Sequence, residues 1–308
     1  MEECLIISAT EGAGVTGEWF RGITPAPKTT EIDTSVAHSA RVYNYWRGGK
    51  DNFAADRETG DRVIAVRPSI ITDVRANRDF MIRAVRYLAT EAGIGQFLDI
   101  GTGIPTAPNV HEVAQATAPR SRVVYVDNDP IVLAHARALL TSNAEGATAY
   151  LDADLRDPGK ILREAGQILD FGQPVAVLVV GILHLIPGAE QPYSIVAQLL
   201  DAVPAGSYLV INHPASDVNA EIVAEGARRY NQSASAPQTR RSHAEVSRFF
   251  DGLDLLSPGV VQTHRWRPAP GPDPASPGPA GPDPAGPDPA GPDPVRDVSA
   301  WCGVGRKL

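Results

Sequence analysis

The residues best placed to do chemistry are Asp99-Ile100-Gly101-Thr102-Gly103, which close a short apolar run, Phe97–Ile100. A strand that ends in Gly-x-Gly lets its backbone approach a ligand at the carboxyl edge of a sheet, where doubly wound folds bind their ligands. A second apolar run, Val123–Val126, leads into Asp127, 26 residues after Gly101. A carboxylate there can accept both hydroxyls of a ribose, so a ligand containing a nucleoside is expected. Charge narrows the choice. A dinucleotide brings a pyrophosphate, which favours a third glycine and a helix N-terminus free of acids. Here Gly103 is followed by Ile104 and Pro105, and Asp129, Asp152 and Asp154 make the strand ends more acidic still. An acidic crevice suits a cationic ligand.

S-adenosylmethionine is such a ligand, with a sulfonium, an ammonium and a carboxylate joined to an adenosine. The residues match it in parts: Asp99 near the ammonium, Asp127 on the ribose, Asp154 near the adenine amine. Thr102, Asn128 and Gly181 stand beside these positions or at the next strand end and are taken as cofactor contacts with them. Arg78 precedes the first strand and is expected to reach the methionine carboxylate. Gly48-Gly49-Lys50 is not a P-loop, since Asn44 stands where its first glycine belongs and Asp51 follows the lysine. It reads as a helix-loop-helix cap, or as a lid that carries Tyr45, Lys50, Asp51 and Asn52 over the site. Methyl transfer from a sulfonium needs mainly alignment of the acceptor and, for some acceptors, removal of a proton. His184 and His213 follow the fourth and fifth strands and are candidates for a base near neutral pH. Tyr43 and Tyr45 are weaker candidates that also fit core aromatics at helical spacing, and no metal-ligand spacing is present.

Placing these residues requires alternating strands and helices. Strand-like runs Phe97–Ile100, Val123–Val126, Thr148–Leu151, Val175–Val180 and Tyr208–Ile211 alternate with helix-like segments Asn109–Thr117, Pro130–Leu140, Pro158–Leu169 and Pro192–Ala202. Parallel strands need crossover helices, so the pattern predicts a doubly wound α/β sheet. Helices near Asp217–Tyr230 and His243–Phe250 follow, and then two strands, Val260–Trp266 and Val298–Val304, read as an antiparallel hairpin. Residues 33–90 carry helical periodicity, as in Val74, Met81, Val85 and Leu88, and form an N-terminal helical cap. Residues 1–32 read as a flexible leader and 91–308 as the core.

With those motifs in view, the chain resembles the class I S-adenosylmethionine-dependent methyltransferases, and within them the "S-adenosyl methyltransferase" family formerly described as a domain of unknown function. The resemblance rests on Ala40–Arg57, Ala76–Ala89, Gln96–Ala107, Val123–Pro130, Tyr150–Pro158 and Val246–Trp266, over about residues 33–308. It implies a Rossmann-like seven-stranded sheet in the order 3-2-1-4-5-7-6, with strand 7 antiparallel. It further implies Asp99, Gly101 and Gly103 in the glycine loop, Asp127 on the ribose, and Asp154-Leu155 beside the adenine, with Asp152 as the alternative to Asp154. The missing third glycine departs from the wider superfamily.

Composition sets the remaining bounds. The net charge is −8 with no basic excess, which argues against a nucleic-acid partner. Two cysteines, Cys4 and Cys302, make no disulfide framework or zinc site. The longest apolar run, Val175–Ile186, falls short of the roughly 20 residues that span a bilayer. No signal peptide is read, so a cytoplasmic protein is expected, acting on a small-molecule acceptor, with a homodimer left open. The competing readings are a non-catalytic S-adenosylmethionine-binding regulator and an NAD(P)-dependent oxidoreductase. Of 27 prolines, twelve lie between Pro268 and Pro294, in a loop at 268–295 built on five pentapeptide units such as Gly-Pro-Asp-Pro-Ala. The units favour polyproline II or turns and cannot donate a strand ladder. Neutral growth of the loop is favoured over an active-site lid. Deleting residues 269–293 should leave cofactor affinity unchanged by calorimetry; a lost fold or a lost site would refute that.

Overall fold

A computed structural model describes residues 33–139, 142–268 and 298–308. The leader and nearly all of the proline-rich loop therefore lie outside the described residues. Asp33–Leu308 form one compact unit. Three helices come first: α1 (Ser39–Trp46), α2 (Ala54–Val66) and α3 (Ile70–Thr90). The alternating part follows as β1 (Gln96–Ile100), α4 (Val110–Gln115), β2 (Arg122–Asp127), α5 (Pro130–Leu139), β3 (Ala147–Asp152), α6 (Pro158–Ala165), β4 (Ala176–Val180), α7 (Pro192–Asp201) and β5 (Tyr208–Pro214). The chain ends with α8 (Ala220–Asn231), α9 (His243–Ser247), β6 (Leu253–Leu255), β7 (Val261–Gln262) and β8 (Ala300–Lys307).

The sheet runs β3-β2-β1-β4-β5-β8-β6, with β7 also paired to β8. β1 to β5 are mutually parallel, and β8 runs antiparallel to β5, β6 and β7. This is the expected doubly wound order. Strand β4 shows why its run is unbroken: Val177 and Val179 face one core with α6 and α7, while Ala176 and Leu178 face the other with α3 and α4. Both faces are covered, so neither needs a polar residue. Helix starts are specified locally. Asp157 accepts from the Lys160 N–H at 2.9 Å ahead of Pro158, and Ser242 and Glu245 cap α9 reciprocally.

One strand differs from expectation. Val260–Trp266 does not run as a single strand; only Val261–Gln262 pairs, and a 3-10 turn, Thr263–Arg265, follows. The chain leaves the sheet because Trp266 is fully buried beneath α3, edge-on to Phe80 at 5.4 Å and Tyr87 at 6.3 Å. Arg83 of α3 holds the turn by donating to the carbonyls of Trp266 and Thr263, both at 3.0 Å. The outer sheet position goes to β6, which at three residues is too short for its Leu-Asp-Leu alternation to mark a strand.

Helix α3 serves two cores. Its second half (Phe80, Met81, Ala84, Val85, Leu88) covers the sheet, while Ile70 and Val74 join Val42, Trp46, Val63 and Tyr230 in a smaller core of the cap. Asp73 in its first turn accepts from the Ser299 N–H at 3.0 Å and pairs with the buried Arg67, tying α2, α3 and the approach to β8 together. Among the described residues no helix is long and apolar enough to cross a membrane. Asp73→Ala would strand Arg67 as a buried, unpaired charge. A loss of roughly 3–5 kcal/mol in urea-unfolding stability is expected, and a loss below about 1 kcal/mol would show that the pair holds nothing together.

Candidate functional site

At the carboxyl edge of β1, β2 and β4 the backbone folds into positive φ at Gly101 (75°), Gly103 (66°) and Gly181 (74°). Gly101 is confined as well as left-handed. A Cβ there would lie 2.6 Å from the Ile182 side chain, so no larger residue fits. The Gly101 N–H donates to the Val126 carbonyl at 2.8 Å, which continues the β1–β2 ladder into the turn. These glycines line a cavity together with Asp99, Thr102, Asp127, Asn128, Asp154 and Leu155.

The carboxylates in it are differently held. Asp127 accepts from the Gly103 N–H at 2.8 Å and, on its other oxygen, from the Asp129 N–H at 2.9 Å. Each oxygen keeps a lone pair for the cavity, which suits a vicinal diol. Burial pushes the Asp127 carboxyl up, and the two N–H donors oppose that shift. Asp99 accepts from the Thr102 hydroxyl at 3.1 Å and is pushed up to about 6 by burial, partly offset by Thr102 and Arg78. A buried carboxylate with so little compensation favours a cationic partner. Asp154 lies at the rim, holding Asn128 Nδ2 at 2.9 Å and Arg156 at 3.3 Å. Asp152 does not line the cavity.

Several predicted residues stand elsewhere. His213 is fully buried, with Nδ1 2.9 Å from the Pro214 carbonyl and Nε2 2.7 Å from an Arg241 nitrogen. Arginine only donates, so Nε2 must accept and Nδ1–H must donate, which leaves no site for a substrate proton. Tyr45 turns outward and donates to Asp61 at 2.6 Å. Asn52 folds back onto its own loop, donating to Asn44 Oδ1 at 3.0 Å and to the Gly49 carbonyl at 2.9 Å. Asp51 also donates its N–H to Asn44, so the Gly48–Phe53 segment is a cap built around Asn44. Neither Tyr45 nor Asn52 lines the cavity. Arg78 does, but its Nη2 donates to the carbonyls of Thr106 and Pro108, and its buried Nε has no partner. His184 lines the cavity, its Nδ1 has no partner, and burial with the charges of Arg240 and Arg241 lowers its pKa to about 3.

The cap contributes residues of which the sequence had offered only Tyr43, as a weaker candidate. Tyr43, Trp46 and Asn77 line the cavity from α1 and α3, and Tyr230 and Gln238 from α8 and the loop after it. His38 sits at the mouth with Nδ1 2.8 Å from Asp129, and buried Arg41 approaches the same carboxylate at 3.8 Å. Burial would raise the Asp129 pKa; contact with His38 and Arg41 outweighs it and holds Asp129 low. The helical spacing of Tyr43 and Trp46 signalled only an apolar face.

A glycine turn with a diol-ready carboxylate beneath it, on a sheet ordered β3-β2-β1-β4-β5-β8-β6, defines a Rossmann-like methyltransferase fold. The S-adenosyl methyltransferase family model matches residues 25–308, and the chain belongs to that family, whose cofactor is S-adenosylmethionine. Two solved structures agree. A protein of the DUF574 family from Streptomyces avermitilis is 46% identical, covering 90% of this chain and 100% of that one, with a TM-score of 0.80. A candidate methyltransferase from Thermobifida fusca is 38% identical, covering 89% and 96%, with a TM-score of 0.76. A search of curated proteins found no match.

Because the Asp99 carboxyl ionises only near pH 6, cofactor affinity has a calculable pH dependence. Above that value the carboxylate is present to meet an ammonium; below it the protonated form is not. S-adenosylmethionine affinity should fall as pH drops through 6, by up to about tenfold per pH unit. Calorimetry between pH 5 and 8 reads this, and Asp99→Asn should bind more weakly and flatten the profile. An unchanged slope in that variant would remove Asp99 from the ammonium.

Proposed function

We propose that this protein transfers the methyl group of S-adenosylmethionine to a small-molecule acceptor seated between the sheet edge and the cap. The observation that carries this is the two-sided cavity. Its sheet side has the acidic, glycine-lined character of a cofactor site, and its cap side has the aromatic and amide side chains Tyr43, Trp46, Tyr230 and Gln238. In the first part, Asp127 would hold the ribose hydroxyls, Asp99 the ammonium and Asp154-Leu155 the adenine edge. The unpartnered Arg78 Nε would meet the carboxylate. When bound, the cofactor supplies an electrophilic methyl on a sulfonium; the chain has to align the nucleophile and keep water away.

His184 is a titratable side chain on the wall of this cavity. With a pKa of about 3 it is neutral throughout the physiological range and a weak base. Its free Nδ1 therefore orients an O–H or N–H of the acceptor and does not carry the proton off. Such a site suits an acceptor whose nucleophilic atom has a lone pair available without base catalysis.

The test uses methyl-labelled S-adenosylmethionine with a low-mass cell extract. Label should appear in a small-molecule product, with release of S-adenosylhomocysteine, and Asp127→Ala should abolish both cofactor binding and label transfer. Binding without transfer to any extract fraction would favour the regulator reading. Full affinity in Asp127→Ala would overturn the ribose assignment.

A further inference from the structure

Part of the cavity wall comes from the segment that joins α8 to α9, through Ala236 and the half-buried Gln238. That segment is pinned from both sides. The Ser235 N–H donates to the Ala37 carbonyl of the cap at 3.0 Å, and the Thr239 N–H donates to the His184 carbonyl at 2.7 Å. Asn231, the last residue of α8, grips Gln238 by both of its backbone groups. Its Oδ1 accepts from the Gln238 N–H at 2.7 Å, and its Nδ2 donates to the Gln238 carbonyl at 3.2 Å. The side chain is anchored too, because Gln238 Oε1 accepts from Arg240 Nη2 at 3.4 Å. A guanidinium can only donate, so this contact fixes which end of the amide is oxygen and which is Nε2.

Nε2 carries two N–H groups. The Tyr230 hydroxyl stands beside the amide and can accept one of them at most; burial pushes the pKa of that hydroxyl up, and the amide opposes the shift. At least one N–H is left over, on a residue that lines the cavity. A loop residue held by three hydrogen bonds with a donor to spare is preorganised to read a ligand atom. The guanidinium behind the amide polarises it, which makes the spare N–H a stronger donor. The neighbours on this wall carry no charge. His184 is a neutral imidazole and Tyr230 keeps its proton. Trp46, its ring centroid 6.2 Å from that of Tyr230, spends its indole N–H on the Gly60 carbonyl at 3.2 Å. An ion seated against them would lose its water with no counter-charge in contact. Building on the methyl-transfer reading, we propose that Gln238 selects the methyl acceptor, its spare amide N–H donating to a lone-pair oxygen, such as a ketone carbonyl, of an uncharged molecule. Asn231 and Arg240 are positioning residues that act through Gln238.

The probes are para-hydroxyacetophenone, which has such an oxygen, and para-ethylphenol, which has nearly the same shape without it. Each is titrated calorimetrically into the full chain saturated with S-adenosylhomocysteine. Wild type should bind the ketone about fivefold more tightly, the worth of one neutral hydrogen bond. The preference should vanish in Gln238→Leu and also in Gln238→Glu, which keeps the length and the Arg240 contact but has no N–H to give. S-adenosylhomocysteine affinity should be retained in both variants, which shows that they fold and keep the cofactor site. Equal binding of the two probes by wild type, binding of neither, or a preference that survives Gln238→Glu would overturn the assignment. So would a loss of S-adenosylhomocysteine affinity in either variant, by giving Gln238 to the cofactor or to the fold. Tighter binding of para-hydroxybenzoate than of the ketone would overturn the uncharged acceptor. Failure of wild type to bind S-adenosylhomocysteine at all would strike the methyl-transfer reading itself, and this inference with it.

Discussion

The structure depends on how one short acidic segment is held. Asp127 closes β2 and is fixed by N–H groups of Gly103 and Asp129. Asp129 is in turn held by His38 and Arg41 from the cap. Arg41 also approaches the fully buried Asp56 at 3.6 Å, and Asp56 accepts the backbone N–H groups of His38 and Phe53. One relay of charge therefore runs from the glycine turn through β2 to the first two helices. Carboxylates crowded at a sheet edge repel one another and resist burial. Two basic residues brought from the cap make the arrangement tolerable while leaving Asp99 and Asp127 facing the cavity.

That arrangement divides the chemistry between two sources. The sheet edge supplies negative charge and close backbone approach, which suit a cationic nucleoside. The cap and the segment after α8 supply aromatic rings and amides, from Tyr43, Trp46, Tyr230 and Gln238. His184 lies where the two meet, a neutral imidazole because burial, with the charges of Arg240 and Arg241, disfavours its protonated form.

Much of the fold was legible without coordinates. The run Val175–Val180 announced a strand covered on both faces, and Asp99, Gly101 and Asp127 marked the sheet edge by type and spacing. The short strand β6 was not legible, since three residues are too few for their Leu-Asp-Leu alternation to stand out. The end of the Val260–Trp266 strand was hidden too, because burying Trp266 under α3 outweighed continued pairing. In the site, His184 and His213 looked equivalent: each follows a strand at the same edge. They differ because His213 spends Nδ1 on the Pro214 carbonyl and Nε2 on Arg241, 28 residues beyond it, whereas His184 lines the cavity with its Nδ1 unpartnered.

What the sequence alone determined is the set of local facts: strand and helix periods, glycines where the backbone must turn left-handed, and carboxylates at strand ends. Those follow from steric and hydrophobic rules that act over a few residues, so they can be read in one dimension. The tertiary structure decided which polar groups are satisfied and which are left over. Asn52 and Tyr45 found partners within the cap, while Arg67, Arg240 and His184 kept unpaired nitrogens. Satisfaction depends on neighbours far apart in the chain, such as Asp73 and Ser299. Only the folded molecule brings them within hydrogen-bonding range.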